Sequence, residues 1–197
     1  MSGQILDYVK LGRVIDAISS LAELEDFCEH IVHSITQALA IKGCALMLLD
    51  RATNELKIAA SHGLSQEYLE KGSINAQKSI AASLTEGPVA IYDVEDDPRL
   101  QYPEAAKKEG IQSIVSLPVI LRDKPLGVLR LYRSESWELS IEDITVFQAI
   151  SLIIALTIDN IRMQKGLKAS IDVLKVMRQA TRPKKGPCMN KKRGPSG

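Results

Sequence analysis

Two pairs of apolar runs, each joined by a short polar turn, constrain the fold of this chain most strongly. The first pair comprises residues 44–50 and 55–61. The second comprises residues 113–121 and 126–133, with Arg122-Asp-Lys-Pro125 as the turn between them. Strands joined by such short turns can only pair antiparallel, because a parallel pair needs a long crossover. The sequence therefore predicts two antiparallel hairpins.

Helical spacing of apolar residues flanks these hairpins at both ends. Residues 4–19 predict one helix, and Ser20-Leu-Ala-Glu23 resembles a capping box that would open a second. A long pattern begins at Ser140 and continues towards Arg182, where Pro183 would stop it. This order of elements predicts an α+β fold, with helices packed on an antiparallel sheet.

The middle of the chain predicts shorter elements. Residues 65–71 and 76–86 have helical spacing, and residues 89–92 form a brief apolar strand. Residues 93–110 are polar and irregular, with a helical piece at 104–109. A long polar connection of this kind is where binding residues are often found.

The charge is distributed unevenly along the chain. The net charge is +1, from 25 basic and 24 acidic residues. Eight of the basic residues lie from Lys175 onwards, where no acidic residue occurs, which leaves 17 basic against 24 acidic residues, or −7, for residues 1–174. A solvated, charged tail is the more common meaning of such a composition, and nucleic acid is an unlikely partner. The alternative is weak, nonspecific and salt-sensitive binding of the tail to nucleic acid or anionic lipid. With only 4% aromatic residues, stacking on exposed bases is not expected.

The cysteines and the N-terminus indicate a cytoplasmic protein. The chain has three cysteines without a CxxC pair, and its first residues contain no apolar signal core. The most apolar stretch, residues 146–158, is shorter than the roughly 20 residues that a membrane span requires. We therefore expect it to be a buried helix.

Three stretches of the sequence resemble a GAF domain. They are residues 93–111, the strand pair 113–121 and 125–131, and the helix after Phe147. With the preceding strand order, the resemblance covers roughly residues 20–165. It implies a six-stranded antiparallel sheet with the terminal helices on one face. It also implies a ligand pocket between the other face and the short helices and loops.

The resemblance and the flanking patterns together predict four parts of the chain. We expect an N-terminal dimerisation helix over residues 1–19 and the GAF-like sensory domain over residues 20–165. We expect residues 166–182 to extend the last helix, and residues 183–197, rich in Gly, Pro and Lys, to be a disordered basic tail.

Several polar residues are candidates for binding a small molecule in the pocket that the resemblance implies. The candidates are Asp93, Asp97, Arg99, Tyr102, Ser113, Ser116 and His62. The alternative for the first four is a solvated loop in which Arg99 pairs with a neighbouring Asp. The alternative for the serines is simple packing, and for His62 a turn position at the end of a strand.

No catalytic residue or metal site can be named. His30 and His33 are close enough on a predicted helix to share a metal, but no third ligand is evident. The phosphate-loop, GxSxG and HExxH motifs are absent. The pocket cysteines of GAF-like methionine sulfoxide reductases, the chromophore cysteine of bilin-binding relatives and the signature of cyclic-nucleotide-binding relatives are absent too. We predict a non-enzyme whose cofactor, if any, is unknown.

The long helix has two apolar faces. Residues that would face the sheet are Ile144, Phe147, Ile154, Ile158 and Ile161. Nearly opposite lies a series at alternating spacings of three and four: Ile153, Leu156, Asn160, Met163, Leu167, Ser170, Leu174 and Met177. The second series predicts a homodimer interface, with Asn160 fixing the register, unless Gly166 breaks the helix.

Three functions remain open from the sequence. The first is a homodimeric sensor that binds a small molecule and signals through its terminal helices to a partner protein. The second is a non-catalytic dimerisation module whose basic tail binds nucleic acid or anionic lipid. An enzyme similar to the free methionine sulfoxide reductases has the least support.

Overall fold

The computed structural model describes residues 12, 14, 23–70, 74–75, 87–94 and 100–180. Most of the predicted helix over residues 4–19 lies outside them, as do the predicted helix over 76–86 and the basic tail, residues 183–197.

The described part of the chain contains four helices and six strands. In chain order they are α1 (Leu24–Leu39), β1 (Gly43–Asp50), β2 (Glu55–His62), α2 (Gln66–Leu69), β3 (Ile74–Asn75), β4 (Val89–Ile91), α3 (Pro103–Lys108), β5 (Ser113–Leu121), β6 (Lys124–Arg133) and α4 (Ile141–Ala180).

The strands form one sheet in the order β3-β2-β1-β6-β5-β4, and every neighbouring pair is antiparallel. Both predicted hairpins, β1–β2 and β5–β6, are confirmed, and so is the antiparallel α+β class. The central β1–β6 pair needs a glycine at Gly127, because a Cβ atom there would lie 2.1 Å from the carbonyl oxygen of Met47.

The β5–β6 turn is tighter than predicted. Arg122 and Asp123 both have positive φ angles, 51° and 60°, as a type I′ turn requires. This turn suits the twist of the flanking strands, so β6 begins at Lys124 instead of residue 126.

Helix α1 begins later than the sequence predicts. Glu23 has an extended backbone (φ −100°, ψ 144°) and is the N-cap, so the capping box that placed it inside the helix is wrong. Glu25 and Asp26 occupy the first turn, where negative charge favours the helix dipole. The predicted apolar face is confirmed, since Phe27 and Ile31 are fully buried.

Helix α4 begins where the sequence predicts. The Asp143 amide donates to Ser140 Oγ at 3.1 Å, and the Ser140 amide donates to Asp143 Oδ2 at 3.1 Å. This reciprocal cap satisfies two otherwise free donors. Gly166 lies inside the helix and does not interrupt it, so the continuous helix is confirmed and the alternative of a break at Gly166 is wrong.

One described segment, Ile141–Arg178, is long and apolar enough by length and composition to cross a membrane. Its first half is explained by core packing, because Phe147, Ile154 and Ile158 are buried in the main cluster. The expectation that residues 146–158 form a buried helix is therefore confirmed for one face only, since Leu152 and Leu156 are 49% and 48% exposed.

The two faces of the sheet carry separate clusters. On the helix face, α1 and α4 pack against alternate strand residues such as Leu46, Leu117 and Leu129. On the opposite face, which we call the loop face, Ala45, Ile114 and Tyr132 pack with residues of α2, α3 and the adjoining loops. Because both faces are covered, the central strands β1 and β6 are apolar at most of their positions.

Chain contacts divide the protein into two units, Met1–Arg162 and Met163–Gly197. The first contains the sheet and the helices packed on it. In the second, residues 163–180 are helical and every side chain from 163 to 178 is exposed.

Candidate functional site

The loop face contains a charged residue at its centre, Arg130 of β6. Its cross-strand neighbours are Ala45 on β1 and Ser116 on β5. Both neighbours are buried, and Arg130 itself is half-buried. The positively charged side chain of Arg130 thus starts from the middle of the sheet, on a face that is otherwise mostly apolar.

Two tyrosines join Arg130 in a hydrogen-bonded network. The Arg130 guanidinium and the Tyr68 hydroxyl both donate to the phenolic oxygen of Tyr132. The two tyrosine rings meet edge to face, with their centroids 5.8 Å apart. The network therefore links α2, which carries Tyr68, to the centre of the sheet.

Burial raises the pKa of both phenols. The pKa of Tyr68 lies well above its usual range, because desolvation disfavours the phenolate and Tyr132 lies close by. The pKa of Tyr132 is also raised by burial, although the positive charge of Arg130 opposes this rise. Both phenols are neutral near pH 7 and act as hydrogen-bonding groups rather than bases.

The two candidate serines lie on different faces. Ser116 is 5% exposed and lies beside Arg130 on the loop face, between Val89 and Arg130 in the sheet. Ser113 alternates onto the helix face, where its hydroxyl donates to the carbonyl oxygen of Glu135 at 2.6 Å. Only Ser116 is close to the Arg130 network.

The structure describes only part of the polar connection over residues 93–110. Asp93 and Tyr102 are both half-buried, whereas Asp97 and Arg99 lie outside the described residues. Val94, which follows Asp93, is buried in the loop-face cluster, and Tyr102 is the N-cap of α3. The structure thus places the two described candidates next to elements that cover the loop face.

A cavity of about 480 Å³ lies between α2 and α3 and is lined by Tyr68. Across it, the Ser65 amide donates to Glu109 Oε1 at 2.9 Å, and the Ser65 hydroxyl donates to the same carboxylate. Lys108 forms an ion pair with Glu67. These contacts join the two short helices above the Tyr68–Tyr132 pair.

His62 lies on the other side of the sheet. Its ring packs against that of His33 on α1, with the centroids 4.5 Å apart. Its cross-strand partner is Cys44, a helix-face residue. The structure therefore does not bring His62 together with Ser116 and Arg130.

Comparison with known proteins identifies the family. A family model described as GAF domain matches residues 23–158. The chain belongs to the GAF domain family. None of the curated proteins searched matches it significantly.

Solved structures of low sequence identity share the fold. The GAF domain of a phosphoenolpyruvate-protein phosphotransferase from Coxiella burnetii is 19% identical, with a TM-score of 0.72, and 84% of this chain covers 99% of it. The corresponding Acinetobacter domain is 20% identical, with a TM-score of 0.67 and the same coverage. The free methionine-R-sulfoxide reductase of Neisseria meningitidis, solved with its substrate, is 15% identical, with a TM-score of 0.65, and 78% of this chain covers 89% of it.

The cysteines described in this GAF domain are placed for packing. Cys28 on α1 and Cys44 on β1 are both buried in the helix-face cluster. Burial raises the pKa of Cys28 to about 11 and raises that of Cys44 further. Both thiols lie on the helix face and are un-ionised near pH 7. A nucleophilic cysteine needs an ionised and accessible thiol.

Sequence reasoning missed the Arg130 network. Tyr68 lies in a short helix that was predicted, but nothing in the local pattern connects it with Tyr132, 64 positions later. The signal that could have found the site is Arg130, a charged residue in the centre of the apolar run 126–133. In a strand covered on both faces, such a residue has either a structural partner or a ligand.

Proposed function

We propose that this GAF domain senses a small anionic molecule that binds on the loop face at Arg130. GAF domains are in general small-molecule-sensing regulatory domains. The observation that carries the proposal is the half-buried Arg130, whose cross-strand neighbour is the buried Ser116. Planar guanidinium groups bind carboxylate and phosphate through two parallel hydrogen bonds.

The surrounding residues support a polar ligand. Asp93 and Tyr102 are the further ligand contacts that we propose, together with Asp97 and Arg99 from the same connection. Ser113 and His62, which the sequence also nominated, lie on the helix face and are a poorer fit. A ligand that contacts Arg130 would also affect Tyr132 and, through it, the position of α2.

The arrangement supports binding rather than catalysis. The phenols of Tyr68 and Tyr132 are held neutral, and both described cysteines are buried in the helix-face cluster. Arg130 stabilises negative charge but cannot act as a base at neutral pH. We therefore propose a regulatory domain without enzymatic activity.

The test is a thermal-shift screen of the full chain against dicarboxylates, inorganic phosphate and nucleotides. An anion present at about 100 times its Kd stabilises the protein by about 2.7 kcal/mol. For a chain of this size, that raises Tm by roughly 5–10 °C. The shift should disappear in Arg130→Met and persist in Arg51→Met, which removes an exposed guanidinium from the β1–β2 turn. A shift of equal size in all three proteins would overturn the proposal.

We further propose that the domain is a homodimer that signals to a partner protein through α4. The proposed interface is Ile153, Leu156, Asn160, Met163 and Leu167. Leu156 is 48% exposed, and Met163 and Leu167 are 65% and 64% exposed. Apolar residues at spacings of three and four along an exposed helix are typical of a paired helix.

Sedimentation velocity of the full chain tests this interface. The wild-type protein should sediment as a dimer at micromolar concentration, and Leu156→Glu combined with Met163→Glu should give a monomer. Ala169→Glu introduces the same kind of charge on the opposite side of the helix and should leave the dimer intact. A wild-type monomer, or a dimer that survives both Glu substitutions, would contradict the proposal.

A further inference from the structure

The fold gathers all the histidines of the chain in one groove. The chain has three, His30 and His33 on α1 and His62 at the end of β2. They line a groove of about 740 Å³ between the helix and the sheet edge, together with Asp26 and Glu29. This groove lies on the helix face, away from Arg130.

His33 and His62 are in direct contact across this groove. Their Nδ1 atoms are 3.5 Å apart, and the ring planes are nearly perpendicular, at 84°. A metal with tetrahedral geometry and bonds of about 2.0–2.1 Å separates two imidazole nitrogens by about 3.4 Å. The distance between the two nitrogens thus matches that expected for two ligands of one metal ion.

We propose that His33 and His62 bind a divalent transition-metal ion such as Zn²⁺, Ni²⁺ or Cu²⁺. Imidazole nitrogen is a preferred ligand for these ions. Asp26 and Glu29 add two negative charges to the groove, which favours a cation over an anion. Within the ranges that the structure describes, no three His, Cys, Asp or Glu side chains form a ready metal-binding group. We therefore expect water to complete the coordination of the ion.

The site would connect two elements that are far apart in the chain. His33 lies on α1 and His62 lies 29 positions later at the end of β2. A metal bound by both would join the helix to the edge of the sheet and stabilise the folded chain in proportion to its occupancy. The site is independent of the anion site at Arg130, so either can exist without the other.

The competing interpretation is a simple hydrogen bond between the two imidazoles. In that case one Nδ1 atom donates its proton to the other, and no metal is needed. The two interpretations differ because a metal requires both nitrogens to be unprotonated.

Isothermal titration calorimetry with zinc chloride and nickel chloride tests the site. The tag-free full chain would carry Cys188→Ser, because a thiol binds the same metals. We expect one equivalent of metal per chain, with affinity reduced at least about tenfold in His33→Gln and in His62→Gln. His30→Gln, a matched change one helical turn away, should reduce it by much less. Circular dichroism would show that all variants are folded.

A second readout does not depend on the variants. The electron paramagnetic resonance spectrum of the wild-type chain with one equivalent of Cu²⁺ should show coupling of the copper electron spin to two imidazole nitrogens. Absence of binding to the wild-type chain would overturn the proposal. So would equal affinity in the wild type and in the His33→Gln/His62→Gln double variant, or a copper spectrum with oxygen ligands only.

Discussion

The two faces of the sheet differ in what they are built from. The helix face packs apolar side chains of α1 and α4 against strand residues such as Leu129, in one large cluster. The loop face has smaller clusters and includes the hydrogen-bonded Tyr68–Tyr132–Arg130 network. Apolar packing contributes most of the free energy of unfolding but does not discriminate between polar ligands. A buried polar network contributes less to that free energy but requires a partner of matching hydrogen-bonding groups.

This difference suggests a division of labour within one sheet. A domain that changes its loop-face contacts on binding a ligand needs another part that stays folded. In this domain that part is the helix face, where α1 and α4 pack on the sheet. Substitutions on the helix face should therefore change stability most, and those on the loop face should change binding most.

The largest expected effect is on the helix face. Leu129→Ala removes a side chain that is 1% exposed and leaves a cavity under α1 and α4. The free energy of unfolding should fall by about 2–5 kcal/mol. Urea denaturation followed by circular dichroism measures it. A loss below that of the loop-face change described next would break the proposed division between the faces.

An intermediate effect is expected on the loop face. Tyr132→Phe removes the oxygen that accepts hydrogen bonds from Arg130 and Tyr68. Both donors then lose this acceptor. The unfolding free energy should fall by about 1–3 kcal/mol. Tyr68→Phe added to Tyr132→Phe should cost less than the sum of the two single changes, because they share one hydrogen bond. Strict additivity would show that the two phenols do not interact.

The raised phenol pKa values predict an alkaline limit to this network. Tyr68 and Tyr132 have folded-state pKa values above the ordinary 10.0, so their contribution is complete below about pH 10 and is lost as the pH rises above it. In a titration of tyrosine absorbance, two of the five tyrosines should ionise late, together with unfolding. The late phase should be absent from the Tyr68→Phe/Tyr132→Phe double variant. Five tyrosines ionising together near pH 10 would contradict the burial of the network.

The smallest effect is expected at the β5–β6 turn, where Arg122 and Asp123 are both exposed. Replacing Arg122-Asp123 by Asn-Gly suits the positive φ angles of both positions. Unfolding free energy should rise by less than about 1 kcal/mol. Denaturation in urea provides the measurement, and anion binding should be unchanged. A destabilised protein would mean that the side chains of the turn are used elsewhere.

Much of the fold could be predicted because its signals are local. The hairpins followed from apolar runs with short turns, and the two faces of α4 followed from helical spacing. Local signals were less reliable at boundaries. Ser20 and Glu23 fit the capping-box pattern, yet Glu23 has an extended backbone and is the N-cap. A four-residue motif does not by itself determine the residue at which a helix begins.

The site was harder to predict because it depends on contacts between distant positions. Ser116 was nominated and lies beside Arg130, but the sequence did not show that Ser113 and His62 face the other way. Strand alternation could have separated Ser113 from Ser116, since they are three positions apart on one strand. The pairing of His33 with His62 depends on how α1 packs on β2, which no local pattern specifies.

Native mass spectrometry of the full chain, purified without added ligand, tests the central claim that the loop face binds a small molecule at Arg130. The mass measured under native conditions should exceed the denatured mass by the same amount in each wild-type preparation. This excess should be absent from Arg130→Met and present in Arg51→Met. A wild-type protein without excess mass, or an excess that Arg130→Met retains in full, would contradict the claim.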